Sequence, residues 1–122
     1  MKPHKVDEAY LWDMREAALE AVAGLVGVSH EQFVADSLRV RAIERLIEIV
    51  GEAASHVSRD FQLAHGDIPW AKIIGQRNVL AHDYGDIDCA RLFNVVTQHL
   101  PTLIEHLDRL NLKNSLHPPI ER

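Results

Sequence analysis

Apolar residues recur at helical spacing from the start of the chain. Tyr10, Met14, Ala17, Ala21 and Leu25 share one face, and Leu11, Ala18 and Val22 widen it. The pattern predicts a helix from Val6 to Val26. Gly27 is its expected stop, because glycine tolerates the left-handed conformation. Ser29 with Gln32 matches a capping box and predicts a short helical turn carrying Phe33 and Val34. A long helix follows from Ser37 to Val57, with Leu38, Ala42, Ile43, Leu46, Val50, Ala53 and Val57 as its expected core face. Residues 58–67 read as a connection. Gly66-Asp67-Ile68-Pro69 then marks a helix start, since proline suits the first helical position. That helix is expected over 69–81, with Trp70, Ile73, Ile74, Leu80 and Ala81 on one face. Asp88 is placed to cap a last helix reaching Leu110. Its periodic face is Leu92, Val95, Val96, His99, Leu103, Ile104 and Leu107, and Pro101 should kink it or split it in two. No segment alternates convincingly as a strand. The expected fold is all-α, an antiparallel bundle of four to five helices. One domain is expected over residues 1–110, followed by a flexible tail over 111–122.

Within this frame some polar residues stand out. Arg77 lies three and four residues from Ile73, Ile74, Leu80 and Ala81, in the middle of an apolar stripe. A charge there is costly unless it is paired or serves a site. His82 falls at the end of the same helix, before a loop rich in Gly and Asp. Glu44, Glu48 and Glu52 repeat every four residues beside Arg41 and Arg45, which reads as a solvated, salt-bridged face. Gly51 inside that helix is costly against alanine, which close approach of another helix or a partner chain would explain. Glu52, flanked by Gly51, Ala53 and Ala54, could then sit in a tight interface and pair with Arg77.

The chain has 122 residues, enough for one domain with a real core. Its net charge of −5 argues against coating nucleic acid through bulk positive charge. A few local cations, Arg77 with Arg45, Arg41 or Lys72, would have to supply any grip on RNA. The single cysteine, Cys89, permits no intramolecular disulfide and fits a reducing compartment. With no apolar leader and no run of membrane-spanning length, the expected location is cytoplasmic.

Eight histidines raise the question of metal, yet none of their spacings matches a familiar zinc pattern, and no metal or other cofactor is expected. There is no Walker sequence, no Gly-x-Gly-x-x-Gly and no Gly-x-Ser-x-Gly elbow. That leaves Arg77, Asn78, His82 and Tyr84. RNA cleavage without metal needs a base for the 2′-hydroxyl, a cation for the phosphorane and an acid for the departing 5′-oxygen. Histidine titrates in the range for base or acid, and arginine binds phosphate oxygens through its fork of donors. Asn78 can donate to a phosphate or to the histidine. The competing reading is structural: an arginine paired with Glu52, a histidine capping the last carbonyls and a packed tyrosine.

Arg77 to Tyr84 also carry a family resemblance. They match the Arg-x4-His-x-Tyr motif of the HepT-like proteins, a branch of the HEPN superfamily. Ile68-Pro69-Trp70-Ala71-Lys72-Ile73-Ile74-Gly75-Gln76 resembles the family's approach to the motif, and Asp83-Tyr84-Gly85-Asp86-Ile87-Asp88 its exit. Ala42-Ile43-Glu44-Arg45 and Gly51-Glu52-Ala53 are similar to its long second helix, and Leu100-Pro101 with Leu103 to its last. The similarity runs from Val6 to Leu110. The resemblance implies a HEPN-like helical dimer whose two motifs face each other in a cleft. It implies a metal-independent ribonuclease toxin of a type VII-like toxin–antitoxin pair, cutting tRNA or mRNA and leaving a 2′,3′-cyclic phosphate. Arg77, Asn78 and His82 would be catalytic, with Glu52 and Asp83 in support. It further implies a minimal nucleotidyltransferase antitoxin that transfers AMP to Tyr84. The alternative is a non-catalytic module that binds a nucleotide or works with the nucleotidyltransferase. A purely structural dimer is the third reading.

Overall fold

Helices account for the regular structure in a computed structural model that describes residues 3–82 and 87–113, with backbone alone for 77–82. Among the described residues there is no strand. The elements are α1 (Lys5–Gly24), α2 (His30–Ala35), α3 (Ser37–His56), α4 (Arg59–Ala64), α5 (Trp70–His82), α6 (Cys89–Asn94), a π-helical turn (Val95–His99) and α7 (Leu100–Asp108). The last three form one run of helix. Helix α3 packs between α1 and α5, and α7 packs against α1.

The stripe on α1 is buried as its spacing predicts: Leu11, Met14, Ala18 and Ala21 are inaccessible to solvent. The helix ends three residues before Gly27, which takes φ +72° and so favours glycine. The capping box forms: the Ser29 amide donates to Gln32 Oε1 (2.9 Å), and the Gln32 amide donates to Ser29 Oγ (3.1 Å). Phe33 of α2 is fully buried and packs against Phe93 of α6.

Asp36 caps α3. Its Oδ1 accepts from the Arg39 amide, and its Oδ2 from Arg39 Nε, each at 3.1 Å. The amide and the guanidinium hold the Asp36 carboxyl below its ordinary range. Arg39 Nη1 also donates to the Gly24 carbonyl at 2.6 Å, placing a cation at the C-terminal end of α1.

The core face of α3 is Val40, Ile43, Ile47, Val50, Gly51, Ala53 and Ala54. Of the expected face, Ile43, Val50, Ala53 and Val57 are buried, Leu46 is half-buried, and Leu38 and Ala42 are exposed. Leu38 lies nine residues before Ile47. At about 100° per residue that is two and a half turns, which puts it on the opposite side. The acidic ladder is only partly solvated, with Glu44 and Glu48 half-buried and Glu52 exposed, and Arg45 Nη1 lies 3.6 Å from Glu48 Oε2. Partial burial, then the Glu48 charge, raise the Glu44 carboxyl above its ordinary range against the pull of Arg41. A carboxyl raised on folding contributes stability below its unfolded pKa and loses it as pH rises through the folded value. Glu44→Gln is therefore expected to raise the melting temperature slightly at pH 7, with the gain vanishing near pH 3. Melting curves at the two pH values check this, and a loss at pH 7 contradicts it.

The segment expected as a connection contains a helix. Ser58 Oγ accepts from the Phe61 amide (3.2 Å) and starts α4, while Phe61 anchors it in the core, edge-on to Trp70. The Trp70 indole N–H donates to the His65 carbonyl at 3.0 Å, fixing the start of α5.

Asp88 caps α6, accepting from the Arg91 amide at 3.0 Å. The interruption expected from Pro101 takes the form of the π turn, where the Leu100 amide bonds to the Val95 carbonyl five residues back. Pro101 has no N–H to give Thr97, so the regular pattern cannot pass through it. The wider turn also shifts the helical phase. Leu100 takes the buried place expected for His99, which is exposed. Beyond α7, Asn111 adopts φ 54°, and residues 114–122 of the expected tail lie outside the described residues.

Candidate functional site

The candidate catalytic residues lie on the last turns of α5, which runs to His82 as its final residue. Backbone positions 78 and 82 are one helical turn apart, and position 77 follows Ile73 by one turn. The side chains of Arg77, Asn78 and His82, and the whole of Asp83 and Tyr84, fall outside the described residues.

Glu52 is exposed on α3, although its neighbours Gly51, Ala53 and Ala54 are buried. Its Oε1 lies 3.2 Å from His56 Nε2, and the His56 ring stacks on Tyr10 with centroids 5.0 Å apart. This carboxylate–imidazole–phenol arrangement joins α3 to α1. Sequence spacing could have shown the Glu52–His56 pair, four residues apart on one helix, but not its approach to Tyr10. Of the cations expected to grip RNA, Arg41, Arg45 and Lys72 are all exposed.

Along the first half of α5 lies a pocket of ≈ 180 Å³. Ile47 and Val50 of α3 form part of its wall. Ile73 and Gln76 of α5 face Val95 and Leu103 across it, and Lys72, His99 and His106 also border it. His106 Nδ1 lies 3.1 Å from Asp67 Oδ2, so the loop before α5 holds this ring in place. His99 Nε2 lies 3.3 Å from Asn94 Nδ2. His99 and His106 thus border one pocket, as their heptad spacing suggests, but each is engaged by its own neighbour. Gln76 Oε1 is buried and has no hydrogen-bond partner among the described residues. Residue spacing holds no signal for this pocket, because Val95 and His99 of the π turn help to line it.

Among the described residues, no group of three His, Cys, Asp or Glu side chains could hold a metal ion, and no helix is long and apolar enough to cross a membrane.

Comparison with known proteins bears on the same region. A family model described as "Ribonuclease HepT-like" matches residues 15–110, spanning α5 and the segment that follows it. A "Probable ribonuclease HepT" of Thermococcus cleftensis is 31% identical over 83% of this chain and 92% of its own. A protein of Methanocaldococcus jannaschii, provisionally named an RNase, is 28% identical over 83% of this chain and 93% of its own. One from Caldanaerobacter subterraneus, named in the same provisional way, is 29% identical over 81% and 88%. No solved structure matches significantly. The match covers most of the helical domain and runs through the Arg-x4-His-x-Tyr segment, so the chain belongs to the HepT-like ribonuclease family.

Proposed function

We propose that this protein is a metal-independent ribonuclease toxin, acting as a homodimer through Arg77, Asn78 and His82 and neutralised by a minimal nucleotidyltransferase. The observation that carries the reading is the family match across a helix that ends at His82, with the whole motif inside the matched span. A single helical domain over residues 1–110 houses it.

The chemistry follows from the residue types. An imidazole takes the proton from the 2′-hydroxyl, and the freed oxygen attacks the adjacent phosphorus. The bond to the 5′-oxygen breaks, and a second imidazole returns a proton to that leaving oxygen. The products are a 2′,3′-cyclic phosphate and a free 5′-hydroxyl, with tRNA or mRNA as substrate. One chain brings one His82; two protomers bring a base and an acid. Arg77 holds the negative charge that builds on the phosphorane, and Asn78 donates a further hydrogen bond. Asp83 and Glu52 support the site from its borders. Exposed Arg41, Arg45 and Lys72 provide local attraction for RNA on a chain of net charge −5.

Tyr84 is the proposed AMP acceptor. Its oxygen attacks the α-phosphorus of ATP, pyrophosphate leaves, and the phenolic proton passes to solvent. The added phosphodiester and adenosine would block RNA by repulsion and bulk. The net charge also gives some weight to a second reading, a non-catalytic module working with the nucleotidyltransferase.

Incubation of unmodified, folded protein with total tRNA in EDTA tests the proposal. Fragments ending in cyclic phosphate are expected. Cleavage that appears only when a divalent metal is restored would remove the metal-independent mechanism. No cleavage of tRNA or mRNA, together with no growth arrest on expression, would favour the binding module.

A further inference from the structure

We propose that the outer face of α1 is a docking surface for a partner protein, one that presents an amphipathic helix with an apolar ridge and lysine or arginine flanks. This face takes no part in the chemistry proposed above.

Helix α1 is apolar on two sides. Leu11, Met14, Ala18 and Ala21 form its buried stripe. Trp12, Leu19 and Ala23 follow one another at intervals of seven and four residues, which aligns them on the opposite side. Trp12 and Leu19 are half-buried without joining the core, and Ala23 is exposed. Val26, just past the helix end, is 75% exposed. The Trp70 indole N–H is bonded within the fold, whereas that of Trp12 makes no hydrogen bond among the described residues. A tryptophan at the surface offers a large apolar area and a free donor, the combination most enriched where proteins bind one another.

Charge defines the partner. Asp13, Glu16 and Glu20 edge the stripe, and both glutamates are exposed. Between Lys5 and Arg39 the chain has a single Lys or Arg, Arg15. That cation is already engaged: its Nε lies 2.7 Å from Asp108 Oδ1, its Nη1 3.1 Å from Glu16 Oε2, and its Cζ 5.6 Å from the centre of the Trp12 ring. Glu20 has no ion pair among the described residues. The last turn of α1 holds no basic residue, although the helix dipole favours one there. Helix stability therefore does not account for this excess of carboxylates, and a partner with basic flanks complements it.

The same charge turns other occupants away. RNA is repelled, and a second copy docking by the same face would set like charges against each other. The exposed cations Arg41, Arg45 and Lys72 lie on α3 and α5, and α3 packs between α1 and α5. The partner and RNA are thus assigned to different sides of the bundle.

A synthetic helical peptide serves as the probe. At about 18 residues it spans roughly 27 Å, close to the length of α1 beyond its first turn. It carries a leucine ridge with lysine flanks. One control peptide has glutamate flanks, and another keeps the lysines but scrambles the ridge. Calorimetry and methyl NMR of the full chain follow binding at about 0.15 M salt, which screens loose charge pairing. One peptide per protomer is expected, with shifts at the Leu19 and Val26 methyls. Trp12→Ala should weaken binding at least about tenfold, the effect of losing an aromatic anchor. The surface variant Glu16→Lys/Glu20→Lys should weaken it by a similar factor, and melting temperatures check that both variants fold. Both control peptides should bind at least about tenfold more weakly. Total tRNA should leave the Leu19 and Val26 methyls unshifted. Equal binding of the scrambled peptide, or unaltered affinity in Trp12→Ala, would overturn the docking face. Shifts of these methyls with tRNA would assign the face to RNA, shifts on dilution of the chain alone to a second copy, and shifts on deletion of residues 114–122 to the C-terminal segment; each of these outcomes also overturns the proposal.

Discussion

His82→Ala is expected to slow RNA cleavage by about 10²–10⁴-fold, the range for losing a positioned general acid or base. In a symmetric dimer each substitution removes both imidazoles, so the loss should approach the upper end. Arg77→Ala should cost about 10²–10³-fold, comparable to deleting one strong donor to a developing oxyanion. Arg77→Lys keeps the charge but not the planar fork, so it should recover only part of that loss. The variants are to be compared on an RNA that the wild type cleaves, at matched fold as judged by circular dichroism and melting temperature. The pH profile adds a readout that a structural role would not move. If one imidazole acts as base and another as acid, the wild-type profile is bell-shaped. A folded His82→Ala protein that cleaves at the wild-type rate would remove His82 from the mechanism.

The order and type of the main helices were legible because they depend on local signals. The α1 stripe, the Ser29–Gln32 box, the Asp88 cap and the interruption around Pro101 each need only residues within a few positions of one another. What escaped the sequence depends on contacts between distant segments. The short helix α4 lacks the length for a periodic pattern, and its identity rests on Ser58 as a cap and Phe61 as an anchor. Apolar character alone puts Leu38 on the core face of α3, whereas the run Val40, Ile43, Ile47 and Val50 sets the buried direction. A regular helix would bring His99 to the core; the π turn puts Leu100 in its place. The candidate site divides in the same way. The motif at the end of α5 is contiguous and could be read directly. The pocket along the first half of that helix draws on three separate helical segments, and Gln76 carries no sign in the sequence that its carbonyl is orphaned.

The same distinction sets the largest stability effect expected outside the apolar core. Asp7 is a charged residue only 4% exposed, near the start of α1. Its Oδ1 accepts from the Ser58 amide at 2.8 Å and its Oδ2 from Ser58 Oγ at 2.6 Å, across 51 positions of sequence. Ser58 Oγ is also the acceptor that caps α4, so one carboxylate orients the hydroxyl on which that helix start depends. Through α4 the effect reaches Phe61, which meets Trp70 at the head of α5. Hydrogen bonds to charged groups contribute about 1.5–3 kcal/mol each, and removing the acceptor also leaves a part-buried amide unsatisfied. Asp7→Ala should therefore lower the unfolding free energy by about 3 kcal/mol, after allowing for the desolvation that the wild-type carboxylate itself suffers. Asp7→Asn keeps one acceptor and should lose less. Ser58→Ala should cost less than Asp7→Ala because its amide still reaches Asp7. Urea unfolding of the three variants, combined with the Asp7→Ala/Ser58→Ala double mutant, measures the coupling directly. Additive losses would mean that the two side chains act independently; a double mutant scarcely weaker than Asp7→Ala alone is the expected result.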